Sequence, residues 1–130
     1  MTNDPIADFI QRIKGASAVK KESLSMPFSA LKYAVAQKLV QRGFLKSVDQ
    51  KGKVKKTLEI ELMYSQSGTP KIHDVKRISK PGRRLYTGSQ DVQSIKHGHG
   101  LLIVSTPKGI LAGDEAKKQN VGGETLFSIW

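Results

Sequence analysis

Hydrophobic positions along the chain change period several times, and each change predicts an element. Over residues 4–16, DPIADFIQRIKGA, the residues Ile6, Phe9, Ile10 and Ile13 recur at helical spacing, with Asp4 placed to cap and Pro5 at the first helical position. The polar face of this helix carries Arg12, with Lys14 beside it. ESLSMP alternates, setting Leu24 and Met26 on one face before Pro27, and reads as a brief strand. Ser29 then caps a second helix, in which Leu31, Ala34, Val35 and Leu39 form the expected apolar stripe. Lys32, Lys38 and Arg42 fall off that stripe, and Gly43 stops the helix.

Beyond Gly43 the period drops to two. Residues 44–50 read as a strand, KGK at 51–53 as a turn, and TLEIELMY as a strand with Leu58, Ile60, Leu62 and Tyr64 on one face. SQSGTP at 65–70 is the one stretch dense in Ser, Gly, Thr and Pro and is the expected boundary between domains 1–66 and 67–130. The second half then predicts a strand in KIHDVKRIS, a turn at KPGR, a short extended LY and a helical turn or two in DVQSIK. The apolar strand LLIV empties into STPKG, which with the following IL reads as a polar turn, and a short polar helix follows over 114–119. A turn at Gly122 and Gly123 leads to the last strand, ETLFSIW. The expected class is α+β, as two small packed domains. The N-terminal one runs helix-strand-helix-strand-strand, and the C-terminal one is mainly β with a short helix.

Length supports packing of the halves, because a domain of roughly 60 residues buries only about 60% of its unfolded surface and is marginal alone. Charge changes the picture more: 22 Lys and Arg stand against 11 Asp and Glu in 130 residues, a net +11 with a pI near 10.0. Such an excess points to a polyanionic partner, nucleic acid first. It divides as +6 before residue 67 and +5 after, so a folded surface carries it and not a detachable tail. The chain has no cysteine, which removes disulfides and thiolate metal sites. MTNDPIADFI lacks the cationic start of a secretory leader, and no apolar run approaches the roughly 18 residues of a membrane span. A soluble cytoplasmic protein with no membrane partner is expected.

The basic residues cluster. KIHDVKRISKPGRR holds Lys71, Lys76, Arg77, Lys80, Arg83 and Arg84 against Asp74 alone. Either this is a solvated strand edge guarded against aggregation, or it is a set of phosphate contacts with Tyr86 near by to stack on a sugar or base. Lys51, Lys53, Lys55 and Lys56 around the KGK turn leave the same choice open. His97 and His99 in HGHG have only His73 as a further imidazole and no carboxylate pair, so glycines at a turn account for the motif better than zinc does. The carboxylates are scattered or sit at helix starts, and neither GxxxxGK[ST] nor GxGxxG occurs. An enzyme, a cofactor, a metal and a small-molecule substrate are therefore not expected. In STPKG, the hydroxyls of Ser105 and Thr106 with Lys108 and Gly109 suit either a turn with a helix cap or a polar hand held toward RNA.

Three stretches carry a likeness: DPIADFIQRIK, SKPGRRLY at 79–86, and above all GLLIVSTPKGILAGDEAKKQNVGGE at 100–124. In order, spacing and length the chain resembles the bacterial small-subunit ribosomal protein number eight, the S-eight family. The resemblance implies a structural constituent of the small ribosomal subunit. Such a protein is a primary binder of the central domain of 16S ribosomal RNA, recognising an irregular helix and helping to assemble the platform. It implies neighbouring small-subunit proteins as partners and a monomer off the ribosome. An alternative is a stand-alone or autoregulatory messenger-RNA-binding protein.

Carried over by residue, the family's Ser-Thr-Ser-Lys-Gly loop falls on Ser105, Thr106, Lys108 and Gly109, with Pro107 in place of the second serine. Its PGxRxY element falls on Pro81, Gly82, Arg84 and Tyr86, and its GGE on Gly122, Gly123 and Glu124. Charge and approximate alignment add Arg12, Lys14, Lys32 and Lys55 as phosphate contacts. Glu124 is expected to accept from a base amino group or to fix a neighbouring donor. Pro107 removes one hydroxyl and one N–H and fixes φ near −65°.

Overall fold

A computed structural model describes residues 5–80, 82–88 and 100–130. The expected Asp4 cap, Pro81, the helical turn in DVQSIK, and His97 and His99 lie outside the described residues. The chain forms two compact units, Asp8–His73 and Asp74–Trp130 with Met1–Ala7. Helices and antiparallel sheets make both, and the class is α+β.

Helix α1, Pro5–Ala18, buries Ile6, Phe9, Ile10 and Ile13, the stripe its spacing predicts. The first unit holds a three-stranded antiparallel sheet in the order β1-β3-β2, from β1 (Ser23–Pro27), β2 (Leu45–Lys51) and β3 (Thr57–Leu62). Register sets Leu24 opposite Ile60 and Met26 opposite Leu58, so alternation sends Leu58, Ile60 and Leu62 inward and leaves Glu59 and Glu61 on the other face. SQSGTP closes on itself as a turn: Ser65 N–H donates to Thr69 at 2.8 Å, Gly68 N–H to Ser65 at 2.9 Å, and Tyr64 bridges Pro70.

Helix α2, Ala30–Gln41, differs in phase from the expected stripe. Ser29 caps it, accepting from the Lys32 N–H, and Gly43 ends it at φ +84°. The buried positions, however, are Lys32, Val35, Ala36 and Leu39, while Leu31 is exposed. Lys32 belongs to the buried stripe because its ammonium reaches the Asp8 carboxylate of α1 at 3.8 Å, letting the aliphatic stem pack while the charge stays paired.

The second unit is a five-stranded antiparallel sheet in the order β4-β8-β6-β7, with β5 also paired to β8. Its strands are β4 (Val75–Arg77), β5 (Tyr86–Thr87), β6 (Leu101–Thr106), β7 (Gly109–Ala112) and β8 (Gly123–Ile129), with helix α3 (Gly113–Lys118) after β7. Leu101–Val104 is buried throughout, as a central strand covered on both faces demands. Two sequence expectations need correction. Residues 109–112 form a strand and not part of a polar turn, since four residues between a tight turn and a helix are too few to show a period. Gly123 lies inside β8, opposite Thr87, and not in a turn.

Candidate nucleic-acid interface

The polar half of STPKG is the turn of a β6-β7 hairpin. Thr106 pairs with Gly109, leaving Pro107 and Lys108 exposed at the tip. Proline is favoured at the first central position of a turn because its φ is preset there, and Gly109 adopts φ +110°, where a side chain would strain the chain. The Thr106 hydroxyl staples the tip: it donates to the Gly109 carbonyl at 2.8 Å and accepts from the Lys108 N–H at 3.1 Å. Pro107 thus suits the turn even where it removes the family's hydroxyl.

Strand pairing brings distant segments beside this turn. Glu124 on β8 lies directly opposite Tyr86 on β5 and directly opposite Ser105 on β6, and opposite residues project to one face. Tyr86, Glu124 and Ser105 therefore form one row, separated by as many as 38 positions in sequence (86 to 124) yet adjacent on the sheet. Tyr86 is 71% exposed, an open ring at the end of that row. Gly122 and Gly123 allow the close approach, since a Cβ on Gly123 would overlap the Ser105 carbonyl oxygen and one on Gly122 the Thr87 carbonyl oxygen.

Glu124 also gathers the preceding turn. Its Oε2 accepts from the Ser79 hydroxyl and, at 2.8 Å, from Arg84 Nη1. Lys80 and Arg83 exchange backbone hydrogen bonds at 3.0 and 2.9 Å, closing the turn that holds Gly82. Ser79 is fully buried and was absent from the residues singled out by sequence. Only its place in SKPGRRLY hinted at it, because its partner lies 45 positions away.

The chain matches the family model for ribosomal protein S8 over residues 4–130. It is 44% identical over 129 residues to the small ribosomal subunit protein uS8 of Roseiflexus castenholzii, covering 98% of each chain. It is 45% identical over 129 residues to that of Vesicomyosocius okutanii, again 98% of each, and 40% identical over 131 residues to that of Helicobacter pylori strain Shi470, 100% of each. The chain belongs to the ribosomal protein S8 family. Its role is that of a structural constituent of the small ribosomal subunit, not an enzyme.

In this S8-family chain the remaining site residues lie in the other unit. Arg12, Lys14, Lys32 and Lys55 belong to the unit Asp8–His73. Arg12 pairs with Asp8 at 3.1 Å, Lys14 is exposed, and Lys32 is buried against the same Asp8. Lys55 sits between β2 and β3 with Lys51, Lys53 and Lys56, all exposed, around Val54 at 96% exposure. In the sheet unit Lys71's neighbours along the chain, Lys76, Lys80, Arg83 and Arg84, are exposed, and Arg77 donates from Nη1 to the Leu126 carbonyl. Among the described residues no three His, Asp or Glu side chains are placed to hold a metal, and no helix is long and apolar enough to cross a membrane.

The Glu124 carboxyl is under opposed influences. Burial pushes its pKa up, but the Ser79 hydroxyl, the Arg84 guanidinium and the charge of Arg77 outweigh it and hold the group below the usual carboxylate range. A depressed folded-state pKa contributes stability that is complete above the ordinary carboxylate pKa and disappears as pH falls through the folded value. Wild type is therefore expected to be more stable than Glu124→Gln near neutrality, the gap closing on acidification. Urea denaturation of both proteins across the acid range checks this, and a gap independent of pH would contradict it.

Proposed function

We propose that this protein binds small-subunit ribosomal RNA directly, as a primary binder of the central domain of 16S ribosomal RNA that helps assemble the platform. The observation that carries the reading is the convergence of STPKG, SKPGRRLY and GGE at one end of a single sheet, with Tyr86, Glu124 and Ser105 in one row. Ser105, Thr106 and the turn backbone read an irregular helix whose base edges are exposed, and Tyr86 stacks on a base or sugar. Lys108, with Pro107 shaping its tip, and Arg84 and Gly82 of the neighbouring turn meet the backbone beside it. Arg12, Lys14 and Lys55, all exposed, extend phosphate contact to the first half of the chain, as the even division of charge suggests, whereas Lys32, buried against Asp8, takes no part. Off the particle the protein is a monomer, kept apart by its net +11.

Footprinting on naked small-subunit ribosomal RNA tests this reading. Protection confined to one irregular helix of the central domain is the expected result. Protection spread over many duplexes, or the same affinity for unrelated messenger RNA, would refute it.

Two substitutions should separate positioning from reading. Lys76→Ala is expected to weaken binding to all RNAs alike and to flatten the salt dependence by about one ion-release unit. Thr106→Val loses the hydroxyl that shapes the tip and strands its polar partner on the RNA, costing about 1–3 kcal/mol on the cognate RNA above all. Titrations of cognate RNA and a random duplex over a salt series distinguish them. Equal losses on both RNAs for Thr106→Val would sink the specific role of the loop.

A further inference from the structure

The segment bearing Tyr86 is held to β8 by hydrogen bonds on both sides of its turn. Ile78 N–H donates to Leu126 at 3.1 Å and Ser79 N–H to Thr125 at 3.0 Å, which fixes the start of the turn. Thr125 N–H donates to the Leu85 carbonyl at 3.0 Å, and its hydroxyl to the same oxygen at 3.3 Å, which fixes the end. Between them the fully buried Ser79 hydroxyl donates to Glu124 and accepts from the Leu85 N–H at 3.1 Å. One hydroxyl thus ties together the strand carrying the carboxylate, the entry to the turn and the residue immediately before Tyr86.

The chemistry favours this tie over alternatives. A buried hydroxyl with both its hydrogen and a lone pair engaged resists rotation, and its bond to a carboxylate is charge-assisted. Glu124 takes Arg84 on the same oxygen, so the carboxylate is paired where an isolated negative charge would repel RNA. Ser79 touches no solvent and cannot itself meet RNA. Its influence has to pass through the residues it holds.

We propose that Ser79 is a positioning residue for RNA recognition: its hydroxyl, clamped between Glu124 and the Leu85 N–H, locks the 80–84 turn onto β8 and so presents Tyr86 in a fixed orientation. This role rests on the RNA-binding reading above and adds to it a residue that never contacts the ligand. An ordered ring loses less freedom on stacking, so the lock raises affinity for an RNA whose exposed base fits it while leaving phosphate attraction untouched.

The test compares full-length small-subunit ribosomal RNA with a random duplex for the wild-type chain, Ser79→Ala, Tyr86→Ala and the double variant. Ser79→Ala is expected to lower affinity for the ribosomal RNA about ten- to hundredfold, the range of a hydrogen bond to a charged group, with the random duplex and the salt slope unchanged. In the Tyr86→Ala background the same change should cost little more, because the side chain it positions has gone. Retention of wild-type preference by folded Ser79→Ala overturns the proposal, as do equal losses on both RNAs or losses that simply add to those of Tyr86→Ala. Should Ser79→Ala fail to fold, Glu124→Gln, which keeps shape and an acceptor, replaces it: a reduced preference that depends on Tyr86 supports the lock, and an unchanged one overturns it. If the wild-type chain itself shows no preference for ribosomal RNA, the RNA-binding reading falls and the role of Ser79 with it.

Discussion

Replacing Gly123 with alanine is expected to destabilise the unit Asp74–Trp130 by about 3 kcal/mol or more, and to remove selective RNA binding at the same time. A Cβ at this position would overlap the Ser105 carbonyl oxygen and lie 2.8 Å from its carbon and 3.1 Å from Thr106 Cα. All three atoms are backbone, so no rotamer change can relieve the clash. Neither strand is free to withdraw, since β6 is anchored by the buried run Leu101–Val104 and β8 by Thr125–Ile129. Any shift that made room would displace Ser105 and the Thr106 staple, the groups assigned to recognition. Gly15 offers the control: it lies in α1 with nothing within 4 Å of a Cβ, and Gly15→Ala is expected to stabilise by about 0.5–1 kcal/mol through helix propensity. Urea denaturation of the two variants beside wild type decides it. A wild-type midpoint for Gly123→Ala would show that the strands part more easily than this packing allows.

Much of the architecture was legible because it rests on local period. The stripe of α1, the Ser29 cap, the Gly43 stop and the alternation of β3 each depend on residues within a few positions of one another, and the structure places them as the pattern predicts. Where burial depends on what lies opposite, the pattern misleads. In α2, hydrophobicity favoured Leu31, yet the helix turns Lys32 and Ala36 inward because Asp8 offers Lys32 a partner. The strand β7 escaped notice because GILA is too short to alternate, and Gly123 read as a turn because pairing with β5 and β6 is not written near it. The family likeness picked out STPKG, SKPGRRLY and GGE separately. Their meeting depends on the order β4-β8-β6-β7 with β5 beside β8, and contacts such as Ser79 to Glu124 at a separation of 45 leave no short-range trace.

Pro107 shows how the two kinds of information combine. The family resemblance marks it only as a departure from a serine, a loss of one hydroxyl and one N–H. In the hairpin it stands at the position where a fixed φ assists the turn, ahead of Gly109 at φ +110°. The hydroxyl that shapes the tip comes from Thr106, one residue earlier. Rigidity of the turn is therefore kept while one donor is given up.

Truncation of Phe127 to alanine is expected to cost about 3–5 kcal/mol, a large share of the roughly 5–15 kcal/mol that holds a domain of this size. Phe127 is fully buried in β8, opposite Ile103 of β6 and Arg77 of β4, and Ile103 in turn faces Ala112 of β7, with Ile103 and Ala112 buried as completely. This row ties four strands together three positions from Glu124. Alanine there leaves a cavity that strands already paired on both sides cannot collapse to fill, whereas Phe127→Leu retains most of the apolar volume and should cost less. The functional consequence follows from geometry. Lys71, Lys76 and Lys80 are exposed, and on the proposed RNA-binding reading they meet phosphate by charge, so at temperatures where Phe127→Ala stays folded its affinity for a random duplex should match wild type. Cognate binding should weaken, because the Tyr86-Glu124-Ser105 row is borne by the same strand and loosens with it. Thermal melts with parallel titrations of both RNAs check the pair of effects. Affinities that fall together, or a melting point unmoved by the truncation, would show that the core of β8 does not govern the face it carries.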